Sequence, residues 1–356
     1  MKRKCKDFVL IKAALKEAEE YYIRQRTSPT LRGLFYILVS KNVIPNTQSA
    51  YKKLSKCVAE ARYYGEFPWY LIKDTTRKYY YLEKQSQYPT NPLSPEDLKR
   101  VLEHYINQYS NVTVNPWEDQ KHRIVIVVEK EALGDVIMRF IGEVWPFGIY
   151  QVRVIRGYDS ATDAYDIAVT IDLMPENITP VILHLGDFDP SGEDIARDLR
   201  ERVIMLMKRK NVIFEKVAVT IDQIIELGLP ANPESAEEVE KMRRDARYKT
   251  YIKNVKELVK RDPRVKKLIE EMYKTYEIRV ELDALVALYP DKFKEILRRA
   301  IEKYFDWGVY EKVTKPKEEE LSKKAEGLRR QSLESLSKLI GTISYNSSEE
   351  GVFRNS

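Results

Sequence analysis

Apolar and polar residues recur with two different periods along this chain. In the N-terminal part the apolar positions have helical spacing, which predicts three helices over 6–26, 31–42 and 48–65. Thr30 stands where the N-cap of the second helix is expected. Aromatic and β-branched residues over 67–84 then predict a short hairpin. Three helices followed by a hairpin are the order of a winged-helix domain, whose third helix enters the DNA groove.

Beyond residue 121 the pattern changes to short apolar runs that are rich in β-branched residues. There are four such runs, separated by helical patterns: 123–130, 150–157, 181–187 and 212–220. Runs of this length predict strands that are buried on both faces. Strands that alternate with helices predict βαβ units, and therefore an α/β fold with a parallel sheet.

A length of 356 residues exceeds the usual size of one domain, so several segments are expected. Composition and pattern predict the following division: a winged-helix DNA-binding domain over 1–90, a linker over 91–120, a sheet domain over 121–235, a helical part over 236–312, and a charged amphipathic helix with a polar tail over 313–356.

The net charge of +6 is unevenly distributed. Residues 1–90 hold 18 Lys and Arg against 8 Asp and Glu, a net charge of +10, which leaves −4 for the other 266 residues. Lys52, Lys53 and Lys56 lie off the apolar stripe of the third helix, so they are the predicted contacts to double-stranded DNA. The alternative is a helical bundle whose lysines are only solvated.

Hydropathy, cysteine content and residue usage predict where the protein works. The sequence contains no apolar run long enough to span a membrane, and its first twenty residues do not have the pattern of a secretory signal. Cys5, Cys57 and the three histidines have no metal-ligand spacing, so a reducing cytoplasm is expected. The 24 tyrosines and many Lys and Glu residues are typical of a thermophile.

Three carboxylates stand at the predicted carboxyl ends of two strands. Glu129 ends one run, and Asp187 and Asp189 follow another. Ligands bind at this edge of open parallel sheets, and clustered carboxylates repel one another unless a cation binds them. The sequence therefore predicts a Mg²⁺ site, with Lys130 on the opposite face. In the alternative, Ser191 caps the next helix and the acidic residues have no metal role.

The motifs "VVEKEAL" and "LGDFDPSG" resemble the TOPRIM domain of the DNA topoisomerase VI A subunit and its meiotic double-strand-break relatives. In that family a winged-helix domain precedes TOPRIM and carries the nucleophilic tyrosine in an R-x-x-[FY]-Y helix, which Arg32, Phe35 and Tyr36 match. The segment "VELDAL" over 280–285 is similar to shorter topoisomerase-like proteins of microbes and mobile elements. The resemblance covers about residues 28–310, and the tail after 315 departs from it.

The resemblance implies a reaction. Tyr36 attacks a DNA phosphodiester to form a 5′-phosphotyrosyl link and releases a 3′-hydroxyl, with Arg32 gripping the phosphate and Mg²⁺ stabilising charge. In the family, the tyrosine of one protomer meets the metal site of another, which implies a homodimer. Strand passage implies an ATPase B-type partner, and DNA as substrate implies a nucleoid-associated protein of the cytoplasm.

Two other functions fit the same residues. One is a metal-dependent TOPRIM nuclease in which water attacks the DNA and Tyr36 is a bystander. The other is a non-catalytic winged-helix DNA-binding protein. The spacing of the second helix favours a catalytic role, because it places Tyr36 on the face away from the apolar stripe with Arg32 one turn before it.

Overall fold

A computed structural model of the chain describes the following residues: 5, 7–72, 95–109, 114–155, 161–209, 211–232, 239–240, 243–244 and 246–352.

The three predicted N-terminal helices are present. They are α1 (Phe8–Gln25), α2 (Leu31–Ser40) and α3 (Gln48–Tyr63). Each helix is capped by a side chain that accepts a backbone N–H of the first turn. Asp7 caps α1, Thr30 caps α2 and Thr47 caps α3. Their apolar faces meet in one core that includes Leu34, Phe35, Leu54 and Val58.

The segment 67–84, which was predicted to be a hairpin, begins with a helical turn and not with a strand. Trp69–Leu71 form a 3₁₀ turn, closed by the hydrogen bond from the Leu71 N–H to the Pro68 carbonyl oxygen at 3.2 Å. Phe67 and Leu71 are buried in the helical core, which anchors this turn. The prediction of a strand here was therefore wrong, and the remainder of the hairpin, 73–84, lies outside the described residues.

The four predicted strands form one parallel sheet, so the α/β class is confirmed. The strands are β1 (His122–Val128), β2 (Gln151–Val154), β3 (Thr179–Leu185) and β4 (Ile213–Ala218), in the order β2-β1-β3-β4. β1 pairs with β3 in a register that places Val125 opposite Ile182.

Helices connect the strands and cover both faces of the sheet. Helix α4 (Pro95–Tyr109) precedes β1, and the crossovers are α5 (Glu131–Val144), α6 (Ala161–Asp172) and α7 (Pro190–Leu206). Val125 and Val127 pack with α6 and α7, while the alternate residues Ile124 and Ile126 are equally buried. Burial of both sets explains why β1 shows no polar alternation.

The chain after β4 is helical, as predicted. Its described elements are α8 (Ile221–Leu227), α9 (Ala246–Arg261), α10 (Pro263–Leu268) with a π turn (Ile269–Tyr273), α11 (Leu282–Leu288), α12 (Pro290–Glu302), a helical turn (Trp307–Val309) with a second π turn (Tyr310–Thr314), and α13 (Lys315–Val352). None of the helices in the described ranges is both long and apolar enough to cross a membrane.

The chain divides into two compact units. The first comprises Met1–Lys78 and Lys121–Phe305, and the second Tyr79–Gln120 and Asp306–Ser356. The predicted boundary near residue 90 does not separate the N-terminal helices from the sheet, because α2 packs against α11 within the first unit. In the second unit α4 packs against α13, so the segment expected as a linker contributes a helix to that unit.

Cys5 and Cys57 form a disulfide, with their Cα atoms 5.2 Å apart. It joins the residues before α1 to the buried face of α3. A reducing cytoplasm, which the sequence led us to expect, does not favour such a bond.

We expect the disulfide to stabilise the first unit, because it closes a loop between residues 52 positions apart. Loop closure of this length contributes about 4 kcal/mol to the free energy of unfolding. Reduction with dithiothreitol should therefore lower the melting temperature, measured by circular dichroism. The Cys5→Ala, Cys57→Ala double variant is the control and should not respond to reductant. An unchanged melting temperature in wild-type protein with both thiols alkylated would contradict this expectation.

Candidate active site

Glu129 and Asp187 lie together at the carboxyl edge of the sheet, as predicted. The Glu129 N–H donates to the Leu185 carbonyl oxygen at 2.9 Å, which fixes the end of β1 beside the end of β3. Gly186 lies between them, and a Cβ atom there would come within 2.2 Å of Glu129 Oε2 and displace that carboxylate. The absence of a side chain at Gly186 lets the Glu129 carboxylate lie across the end of β3.

Asp189 has a structural role that the sequence did not predict. Its Oδ1 accepts the Gly192 N–H at 2.6 Å, so Asp189, and not Ser191, caps α7. Pro190 occupies the first helical position, where a missing N–H costs nothing. A Cβ on Gly192 would lie 2.4 Å from the Asp187 carbonyl oxygen. Asp189, Pro190 and Gly192 of the D-x-D-P-x-G motif thus shape the entry to α7.

A distant segment completes the edge. Phe188 and Val280 form an antiparallel bridge with hydrogen bonds of 2.8 and 2.9 Å. The Leu282 N–H then donates to Asp187 Oδ1 at 2.7 Å. These bonds bring Glu281 and Asp283 to the site, which sequence reasoning missed as functional residues. The signal was present in "VELDAL", where two carboxylates interrupt an apolar run.

Tyr36 and Arg32 reach the same place from α2. The Tyr36 hydroxyl donates to Glu281 Oε2 at 2.7 Å, and the Arg32 Nε–H donates to the same oxygen. The prediction that Tyr36 faces outward was wrong, because its side chain is 0% exposed. Helix α11 covers that face of α2, and the α2 sequence alone does not show this.

Lys130 also turns towards the acidic residues. Its Nζ lies 2.6 Å from Asp283 Oδ2 and 3.5 Å from Glu281 Oε1. The expected orientation to the opposite face was wrong, since β1 ends at Val128 and Lys130 is already the N-cap of α5. We call Arg32, Tyr36, Lys130, Glu281 and Asp283 the Glu281 cluster. Glu281 and Asp283 therefore have cationic partners that the sequence did not reveal.

The carboxylates of the edge and the cluster differ in their electrostatics. Burial, with repulsion from Asp187 and Asp189, raises the pKa of Glu129 to about 8. Burial likewise raises the pKa of Asp187 to about 7, although Lys130 opposes it. Burial also favours a higher pKa for Glu281, but the positive charges of Lys130 and Arg32 outweigh burial and hold that pKa below its usual value. Burial and the Glu281 carboxylate raise the pKa of the Tyr36 phenol.

The fit of a divalent cation rests on Glu129 and Asp187. Across the described parts of the chain, no three or more His, Cys, Asp or Glu side chains are arranged to hold a metal ion. Glu129 Oε2 is nevertheless buried beside two repelling carboxylates, with no hydrogen-bond partner among the described residues. Mg²⁺ commonly uses one or two carboxylates and completes its shell with water. Asp189, the third member of the predicted trio, uses its Oδ1 to cap α7.

The predicted DNA contacts on α3 are exposed. Lys52, Lys53 and Lys56 all lie on its solvent side. Lys53 forms an ion pair with Asp7 at 2.6 Å, and such exposed pairs contribute little to stability. The three side chains thus remain accessible to a polyanion.

No family model, curated protein or solved structure matches this chain.

The raised pKa of Glu129 predicts a pH dependence of stability. The folded protein keeps this proton up to pH about 8, whereas the unfolded chain releases it near the ordinary value of 4.5. Unfolding therefore releases a proton in this window, and stability falls as pH rises through it. The melting temperature of Glu129→Gln, relative to wild type, should rise from pH 5 to pH 8.5 in the presence of a chelator.

Glu226→Gln, made on an exposed glutamate of α8, is the matched control and should show a constant offset. A constant offset for Glu129→Gln as well would mean that the carboxylate is ionised throughout this range.

Proposed function

We propose that this chain cleaves DNA strands by tyrosine transesterification, as a type IIB topoisomerase-like A subunit with a winged-helix and a TOPRIM part. The observation that supports it is the meeting of Tyr36 and Glu281, which are 245 residues apart in sequence, beside the acidic edge of the sheet. The tyrosine motif and the acidic motif of the resemblance thus lie in one compact unit.

The Glu281 cluster holds the groups that such an attack requires. Arg32 lies one turn before Tyr36, and Glu281 accepts the Tyr36 hydroxyl at 2.7 Å before a phosphate binds. As the Tyr36 oxygen bonds to phosphorus, its proton passes to water and the bond from phosphorus to the 3′ oxygen breaks. The departing oxygen takes a proton from water and leaves as the 3′-hydroxyl. Arg32 and Lys130 supply positive charge for the phosphate. Religation reverses these steps.

Mg²⁺, held by Glu129 and Asp187 with Asp189 beside them, would neutralise charge on the phosphate and the departing oxygen. The partners in this proposal are double-stranded DNA, a second copy of the chain, and an ATPase B-type subunit for strand passage. The protein would act on the nucleoid in the cytoplasm.

A metal-dependent nuclease is the second candidate, and the complete burial of Tyr36 favours it. A buried phenol that already donates to a carboxylate is a poor nucleophile in this conformation. In that case water attacks the phosphodiester at the acidic edge, and Tyr36 serves to hold Glu281 in place.

Tyr36→Phe separates the two candidates. Supercoiled DNA is incubated with the protein and Mg²⁺, denatured, and assayed for nicking and for protein joined to 5′ ends. We expect wild type to form the adduct and Tyr36→Phe to lose both adduct and cleavage, because the attacking oxygen is gone. Cleavage that survives in Tyr36→Phe, without an adduct in wild type, would identify the nuclease.

Tyr21→Phe is the matched control, since Tyr21 is also buried and donates to the Val286 carbonyl oxygen at 3.4 Å. Tyr21→Phe loses a bond to a neutral carbonyl and should lose about 1 kcal/mol of unfolding free energy, whereas Tyr36→Phe loses a bond to a carboxylate and should lose about 1.5 to 3 kcal/mol. Only Tyr36→Phe should lose activity. Asp187→Asn should lose cleavage under either candidate, and activity in that variant would exclude the acidic edge as the reaction site.

The exposed lysines of α3 predict a salt-dependent affinity for duplex DNA. Replacing Lys52, Lys53 and Lys56 together by Gln should weaken binding and make the slope of log affinity against log salt shallower by about 2 to 3, roughly one unit for each phosphate that a lysine no longer neutralises. Fluorescence anisotropy with a labelled duplex measures both quantities. A Gln replacement of the exposed Lys260, Lys266 and Lys267 is the charge-matched control. Equal effects of the two triple variants would show that charge alone, and not α3, determines binding.

A further inference from the structure

The Glu281 carboxylate lies at the convergence of three donors. Tyr36 and Arg32 both donate to its Oε2, and Lys130 Nζ lies 3.5 Å from its Oε1. Arg32 is further oriented by Asn232, whose Oδ1 accepts from its Nη2 at 2.6 Å. A phenol, a guanidinium and an ammonium aimed at one point are the donors that a phosphate group uses in proteins.

A cavity of about 530 Å³ adjoins this point within the first unit. Arg32, Lys130 and Glu281 line it on one side, and Gln48, Tyr51 and Ser55 of α3 line it on the other. The Arg32 guanidinium lies 4.5 Å from the centre of the Tyr51 ring, which fixes the cation at the cavity wall. Gln48 Oε1 is buried with no hydrogen-bond partner in the described ranges, which suits a polar occupant. The volume is within the range of small-molecule sites.

We propose that this cavity is a phosphate-binding site and that Glu281 occupies its anion position when no phosphate is bound. A phosphate group displaces the carboxylate, takes over Arg32 and Lys130, and so releases the Tyr36 hydroxyl from Glu281. If the occupant is a phosphodiester of DNA, this inference rests on the proposed function. Free phosphate has the same oxygen chemistry, and the experiment separates the two sources.

Glu281→Ala removes the competing carboxylate, and Asp283→Ala is its matched control. Asp283 carries the same charge in the same cluster and contacts Lys130, but its carboxylate bonds Thr30 and is not an acceptor for Tyr36 or Arg32. Full-length proteins are titrated with inorganic phosphate at constant ionic strength, set with chloride, and followed by thermal shift and calorimetry. A second series uses a short DNA duplex.

We expect Glu281→Ala to bind inorganic phosphate at least about tenfold more tightly than wild type, because the donors lose their internal anion, and Asp283→Ala to gain much less. Phosphate should also restore the melting temperature that Glu281→Ala loses. A parallel gain in duplex affinity identifies the DNA backbone as the occupant, while a gain with inorganic phosphate alone identifies free phosphate.

Equal responses of wild type, Glu281→Ala and Asp283→Ala would overturn the proposal, since general electrostatics would then explain them. If Glu281→Ala does not fold, Glu281→Gln and Asp283→Asn make the same comparison, with a smaller gain expected because the amide still fills the position. These assays require no cleavage. Phosphate rescue without cleavage would leave the site standing and refute the proposed function, and cleavage without rescue would do the reverse.

Discussion

The structure depends on one buried ionic contact, the meeting of Glu281 with Arg32, Tyr36 and Lys130. Glu281 is 9% exposed, and a carboxylate at that depth is stable only with cations and donors around it. Its partners come from α2 and from the start of α5, so the contact joins the N-terminal helices to the sheet. Gly33 makes the approach possible, since a Cβ there would lie 3.0 Å from the Ala287 Cβ. Removing one partner would leave an uncompensated charge in the interior of the first unit.

This contact also divides the acidic residues into two groups with opposite behaviour. Glu281 has three donors, and its pKa is held low, so it is an anion whose charge is already neutralised. Within the described residues Glu129 has no such set of donors, and its pKa is raised together with that of Asp187. The first group can exchange one anion for another, whereas the second can gain stability from a cation.

The sheet could be predicted from the sequence because its signals are local. Apolar β-branched runs, strand-end carboxylates and intervening helical periods each lie within a few residues, and they gave the four strands and the position of Glu129 and Asp187. The orientations of Tyr36 and Lys130 could not be predicted in this way. Tyr36 is buried by α11, some 250 residues later, and Lys130 turns because β1 ends two residues before it. The helix-capping role of Asp189 could not be predicted for another reason. A carboxylate at this position can serve equally as a helix cap or as a metal ligand.

The burial of Tyr36 bears on how a reaction between protomers would begin. The resemblance implies that the tyrosine of one protomer meets the metal site of another, whereas here the Tyr36 hydroxyl donates to Glu281 of its own chain. One hydroxyl proton cannot serve both arrangements, so they are alternative states of the same side chain. A ligand favours the open state only by as much as it binds that state more tightly. A phosphate that takes Arg32 and Lys130 from Glu281, as we propose, would provide that difference, because it would satisfy the two cations and leave the phenol free. Under the proposed function, the contact that holds α2 against the sheet is thus the contact that DNA binding would have to exchange.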